Sequence, residues 1–317
     1  MAIQQQYSAL LLTVVLLAAA PVKAQDDDAT DGGTAQDAPP ADAGDGQKPT
    51  MEPVQRVFIR ASGDTGALAQ QYPHLAVWLE PEDEPRVLAL VEREATATPS
   101  GAMVILSGEG QSANDSLLEG LRARLSEAGW AAMTLGLEQS PPSLQTARER
   151  LADAAPASED DNGEAVDESV MIDVNEQAAK DLLNTHRKTM NARLAAAVAW
   201  FLEKQYQNVV LVGVGRGADE VRVFMAEAPP AVSRVAWVAA DFGGQSPARV
   251  SDALTGETTP ILDLYPSRSP AAVNRQAAFR RVGLASYQAM SAPVPSRPSG
   301  RDAGVIANRL LGWLDPR

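Results

Sequence analysis

Val209-Val210-Leu211-Val212-Gly213-Val214-Gly215-Arg216-Gly217-Ala218 is an apolar run that passes through alternating glycines into small residues. Its first four residues read as a strand buried on both faces, the kind found in parallel sheets. The glycines permit a sharp turn, and Ala218 to Ala226 continue with helical spacing. Two chemistries use a strand–turn–helix of this kind. In the frame G-x-S-x-G, small residues let the chain present a serine at the tip of the turn. Here that frame is Gly213-Val214-Gly215-Arg216-Gly217, so glycine stands where the nucleophile would be. In the frame G-x-G-x-x-[GA], Gly213, Gly215 and Ala218 would cradle a pyrophosphate, with Asp241 ending the next strand as a ribose-binding acid. That second frame needs the turn to follow the first strand of its unit, whereas three or more strand candidates come before this one. It stays open as the alternative of a nucleotide-binding oxidoreductase.

Working outward, short apolar runs alternate with amphipathic stretches. Strands are expected at Leu75 to Leu79, Val87 to Glu92, Ala102 to Leu106, Ala131 to Leu137, Val235 to Ala239 and Pro260 to Tyr265, with a weaker one around Leu284 to Met290. Helices are expected at Leu117 to Ala128, Ala178 to Lys204, Ala271 to Arg281 and Ile306 to Leu314. The first two strands flank the turn-rich Glu80-Pro81-Glu82-Asp83-Glu84-Pro85 and suit an antiparallel hairpin. The fold class is therefore α/β: a mostly parallel twisted sheet of about eight strands with helices on both faces, entered through that hairpin. The tryptophans Trp130, Trp200, Trp237 and Trp313 fall inside these elements and are expected to pack in the core.

The chain has 317 residues, with 41 Asp and Glu against 27 Lys and Arg, no Cys and two His. Without cysteine there are no disulfides, zinc ribbons, thiolate-bound clusters or cysteine nucleophiles. His74 and His186 alone cannot build a multi-histidine metal site, so no metal or other cofactor is expected. The net charge of −14 argues against a nucleic-acid partner, because affinity for phosphate backbones comes from clustered Lys and Arg. The acidity is local. Residues 25–52 contribute −7 and residues 151–176 contribute −9, which leaves the rest of the chain at +2.

Residues 1–24 read as a signal peptide, with the apolar run Ala9 to Ala20 followed by Val22-Lys23-Ala24 and cleavage expected after Ala24. The apolar run is shorter than the ~20 residues that span a bilayer, so no stable membrane anchor is expected after cleavage. The destination would be the periplasm. Residues 25–52 are rich in Asp, Ala, Gly and Pro and are expected to form a disordered acidic linker. Residues 53–317 would be a single domain carrying a disordered acidic insertion at about 140–176.

The order of hairpin, strand, helix, strand, long helix and Gly-rich turn resembles the α/β-hydrolase superfamily. More narrowly, it resembles a bacterial exported domain-of-unknown-function family, number 3530, classed with those hydrolases. The residues that carry the likeness are Gly101 to Leu106, Leu121 to Trp130, Arg193 with Ala195 to Phe201, the Gly-rich turn, Pro260 to Tyr265 and Leu311-Gly312-Trp313-Leu314. The resemblance implies a catalytic serine at the turn, an acid just after the strand ending at Tyr265, and a histidine shortly before the last helix. This sequence departs from all three. Gly215 stands at the first position, Pro266-Ser267-Arg268-Ser269-Pro270 follows the strand, and Tyr287 to Arg309 contains no histidine.

No catalytic residue is therefore assigned. The degenerate elbow is Gly213, Gly215 and Gly217, and the candidate cleft residues at strand ends are Ser107, Glu109, Arg216, Asp241 and Arg268. Arg216 stands beside a helix N-terminus, a place that favours anions, and His74, after Pro73, reads as a loop histidine. The expected function is an exported, non-catalytic binding or interaction module that takes a protein or small-molecule ligand in the cleft. An esterase or peptidase that uses displaced residues is the alternative.

Overall fold

The structure, a computed structural model, describes residues 65–153, 174–225 and 231–315. The expected signal peptide and the linker at 25–52 lie outside the described residues. After a short helix α1 (Thr65–Gln71) come β1 (Ala76–Leu79) and β2 (Val87–Glu92), paired antiparallel as expected. There follow β3 (Gly101–Glu109), α2 (Ser116–Glu127), β4 (Trp130–Leu137), α3 (Pro142–Asp153), α4 (Val174–Glu203), β5 (Val209–Val214) and α5 (Gly217–Met225). The chain ends with β6 (Val232–Val238), α6 (Pro247–Asp252), β7 (Ile261–Pro266), α7 (Pro270–Arg281), β8 (Tyr287–Ala292) and α8 (Ala303–Leu314). The strands form one eight-stranded sheet in the order β1-β2-β4-β3-β5-β6-β7-β8, parallel from β4 through β8.

Alternation along the central strands divides the core into two layers. Val209 and Leu211 of β5 join Leu194, Ala197, Val198 and Phe201 of α4 on one face. Val210 and Val212 join Leu117, Leu121 and Leu125 of α2 and Ile306 and Leu310 of α8 on the other. Because both faces are covered, the strands carry no polar alternation, and this is why they read as continuous apolar runs. Trp237 is fully buried among Phe242, Phe279 and Tyr287, whereas Trp200 and Trp313 are only partly buried. Asp115 caps α2 by accepting the Leu117 N–H at 3.1 Å, satisfying one of the orphan donors at the helix start.

Three boundaries differ from the sequence reading. β3 and β5 run further than expected, to Glu109 and Val214, because parallel pairing holds residues whose types suggested a turn. Short helices α1 and α6 went unread, since neither has enough turns to show an apolar stripe. The expected looped-out insertion at about 140–176 begins with an ordered helix, α3, packed against α4 with Leu144 and Ala147 buried. The acidic stretch at 154–173 lies outside the described residues.

Candidate functional site

The turn after β5 sits at the middle of the sheet, with β3 on one side and β6 on the other. Gly215 has φ +52°, in the left-handed region where side chains are uncommon. Its N–H donates to the Val238 carbonyl at 2.9 Å, and its own carbonyl accepts the Asp241 N–H at 2.9 Å, so the turn is fastened to the end of β6. The glycines beside it are required for a different reason. A Cβ at Gly213 would lie 2.5 Å from Ala218 Cα, and one at Gly217 would collide with the Ser107 carbonyl oxygen. At Gly215 itself the space is open, with Gly108 Cα the nearest atom at 3.8 Å. The backbone therefore makes an elbow with room for a side chain at its tip and carries none.

A cleft of about 880 Å³ opens at this elbow, beyond the carboxyl ends of the parallel strands. Its walls come from the end of β3 (Gly108, Glu109) and the connection after it (Gln111), the elbow (Val214 to Arg216), the β6–α6 connection (Ala239 to Gln245), α7 (Asn274, Arg275) and the segment after β8 (Ser296 to Pro298). Neither histidine lines it. His74 is exposed before β1, and His186 is on α4 with Nε2 3.0 Å from Glu220 Oε1 and 3.2 Å from Arg148 Nη2.

The expected cleft residues divide. Glu109, Arg216 and Asp241 line the cleft; Ser107 and Arg268 do not. Ser107 is fully buried, and its hydroxyl donates to the Gln111 carbonyl at 3.0 Å while accepting the Leu137 N–H at 2.6 Å. With both roles filled, it fastens β3 to β4 and presents nothing to a ligand. Arg268 is exposed on the β7–α7 connection. Glu109 accepts the Ser140 N–H at 2.8 Å and lies 3.5 Å from Arg148 Nη1. Asp241 is exposed and accepts the Gly243 N–H at 2.9 Å within its own turn. Arg216 is only 9 % exposed, yet makes no hydrogen bond or ion pair among the described residues.

Two polar clusters beside the cleft escaped the sequence reading. Arg148 of α3 donates to Glu220 of α5 at 3.0 Å and to Ser140 Oγ at 2.7 Å, joining them to His186. Burial pushes the Glu220 carboxyl up, but the His186 hydrogen bond and the charges of His186, Arg148 and Arg216 outweigh it and hold the group below its ordinary value. Burial and the nearby positive charge of Arg216 pull Arg148 down. In the second cluster Asp263, fully buried in β7, accepts a bidentate pair from Arg275 at 2.7 and 3.0 Å and the Tyr287 hydroxyl at 2.7 Å. Burial and the Asp263 charge push the Tyr287 phenol far up. Asp263 is thus held as a structural carboxylate inside the strand. No local sequence pattern marks these partners, because they lie on separate elements.

The family described as "Protein of unknown function (DUF3530)" matches residues 7–316. The chain belongs to that family. No curated protein matches it. Among solved structures, a dienelactone hydrolase from Anabaena variabilis matches with a TM-score of 0.51 at 16 % identity, over 75 % of this chain and 94 % of that one. An esterase domain from Rhodothermus marinus matches with a TM-score of 0.48 at 14 % identity, over 75 % and 96 % of the two chains. Together with the strand order, the match to the dienelactone hydrolase makes the fold α/β-hydrolase-like. Among the described residues no helix is long and apolar enough to cross a membrane.

Proposed function

We propose that this chain is an exported, non-catalytic α/β-hydrolase-like protein whose strand-end cleft binds a ligand without turning it over. The observation that carries the reading is Gly215 at the tip of a well-formed elbow, φ +52°, with open space above it and no side chain to attack a substrate. Acyl transfer by this kind of site needs a nucleophile, an imidazole to take its proton and a carboxylate to orient the imidazole. The segment after β8 brings Ser296, Arg297 and Pro298 to the cleft, and His186 is engaged with Glu220 and Arg148. Ser107, near the end of β3, has both its hydrogen-bonding roles filled by backbone. The residue pattern of positions 1–24 supports export and, with it, a binding function in the periplasm. The dinucleotide reading is less well supported, since the glycine turn follows the fifth strand of the chain at the sheet centre.

The test is turnover of p-nitrophenyl butyrate by the purified protein, with Gly215→Ser and Ser107→Ala measured beside it. The expected result is hydrolysis no faster than buffer for the wild type and for Ser107→Ala. Wild-type turnover that Ser107→Ala abolishes would establish the displaced-residue hydrolase instead.

A further inference from the structure

Among the charged groups of the cleft, Arg216 alone combines burial with the absence of a partner among the described residues. Glu109 is engaged by Ser140 and Arg148, and Asp241 by the Gly243 N–H. Arg275 is neutralised by Asp263. Arg297 is exposed. Arg216 is 9 % exposed and bonds to none of the described residues. A guanidinium that lines an open cleft with no protein partner among those residues keeps its N–H donors available to an oxyanion that enters from outside.

The surroundings are shaped for that arginine. Gly243, with φ +60°, also lines the cleft, and a Cβ there would collide with Arg216 Nη1 and lie 2.5 Å from Nη2. The loop after β6 therefore lies against the guanidinium, and a side chain at residue 243 would have to push it aside. Arg216 also directly precedes α5, whose nine residues direct their first N–H groups toward the elbow. The acids in that first turn are occupied: Asp219 by Arg222 and Gln245, Glu220 by His186 and Arg148. The wall around Arg216 mixes polar side chains such as Gln111, Gln245 and Asn274 with apolar ones, among them Val214, Ala239, Phe242 and Val250.

We propose that the cleft binds a small amphipathic molecule with one oxyanionic head, carboxylate or phosphate, seated on Arg216, and an apolar body against Phe242 and Val250. The inference rests on the reading of the cleft as a binding site and names its ligand class. A planar guanidinium offers paired N–H donors that match either head, and one buried guanidinium without a partner among the described residues matches one head. At about 880 Å³ the cleft is in the size range of drug-sized ligands.

Calorimetric titration of the purified protein with octanoate, octyl phosphate, octanol and inorganic phosphate tests this. The expected result is that octanoate or octyl phosphate binds at least about tenfold more tightly than octanol, a difference of about 1.4 kcal/mol. Arg216→Gln and Gly243→Ala should each remove that preference, the first by deleting the guanidinium and the second by taking its space, while Arg297→Gln changes it less than threefold. Comparing octanoate with octyl phosphate, and octyl with inorganic phosphate, identifies the head and shows whether the body contributes. Equal binding of acid and alcohol, no binding of any probe by the wild type, or full retention of the preference in folded Arg216→Gln would overturn the proposal. If Arg216→Gln does not fold, Gly243→Ala decides by the same criterion. Turnover of p-nitrophenyl octanoate would end the non-catalytic reading and leave the head-group preference standing. Loss of that preference with no turnover would end this inference alone.

Discussion

Asp263 lies inside β7 and Arg216 just past the end of β5; both are charged and buried, but their surroundings are opposite. Asp263 accepts three hydrogen bonds, two from Arg275 and one from Tyr287, and is fully enclosed. Arg216 lies with its guanidinium against Gly243 and, among the described residues, has nothing to bond. The contrast separates two uses of a buried charge. One is spent inside the fold, where removing a partner leaves the others uncompensated; the other is held ready for a group the fold does not supply.

The largest effect should come from breaking the spent cluster. Asp263→Ala would strand the Arg275 guanidinium and the Tyr287 hydroxyl, with an expected loss of about 3–5 kcal/mol of stability in urea unfolding. The Arg148–His186–Glu220 cluster is next. Glu220→Gln should cost about 1–3 kcal/mol, and it also carries a pH signature. Because the folded-state value of Glu220 is below its ordinary 4.5, its contribution is fully present above that value and is lost as pH falls through the depressed one. Stability measured from pH 6 downward should therefore fall less steeply in Glu220→Gln than in the wild type. An identical slope would mean that the cluster does not hold the carboxylate ionised.

Gly215→Ser comes third. The tip has room for the side chain, so the cost should be only that of a left-handed backbone, about 1–2 kcal/mol. The variant should gain no esterase activity, because no imidazole stands beside the new hydroxyl. The smallest effect belongs to Arg216→Gln. With no hydrogen bond or ion pair to lose among the described residues, its stability should stay within about 0.5 kcal/mol of wild type or rise. A loss comparable to that of Asp263→Ala would erase the distinction between the two charges.

The sheet was readable from the chain because its central strands are buried on both faces, which leaves four- to six-residue apolar runs such as Val209 to Val212 with little ambiguity. The elbow was readable because three glycines at alternate positions have few other uses. Short helices were not: α6 has six residues, fewer than two turns, and no periodicity can emerge from that. The polar clusters were hidden for a different reason. Arg148, His186 and Glu220 lie 34 to 72 residues apart on three helices and meet only because α3 and α5 both pack on α4. Ser107 shows the opposite error. A hydroxyl at a strand end looked available, and parallel pairing past Leu106 had already enclosed it between Gln111 and Leu137.

Reaction of the purified protein with a fluorophosphonate, read by intact mass, asks directly whether any serine in this fold is activated. Such reagents add covalently to a hydroxyl whose proton a neighbouring base removes, and leave ordinary hydroxyls untouched. With bare backbone at residue 215, the account predicts an unmodified mass after prolonged exposure. A single stoichiometric adduct on the native protein, absent after denaturation, would show that a working nucleophile exists and that the cleft is an active site.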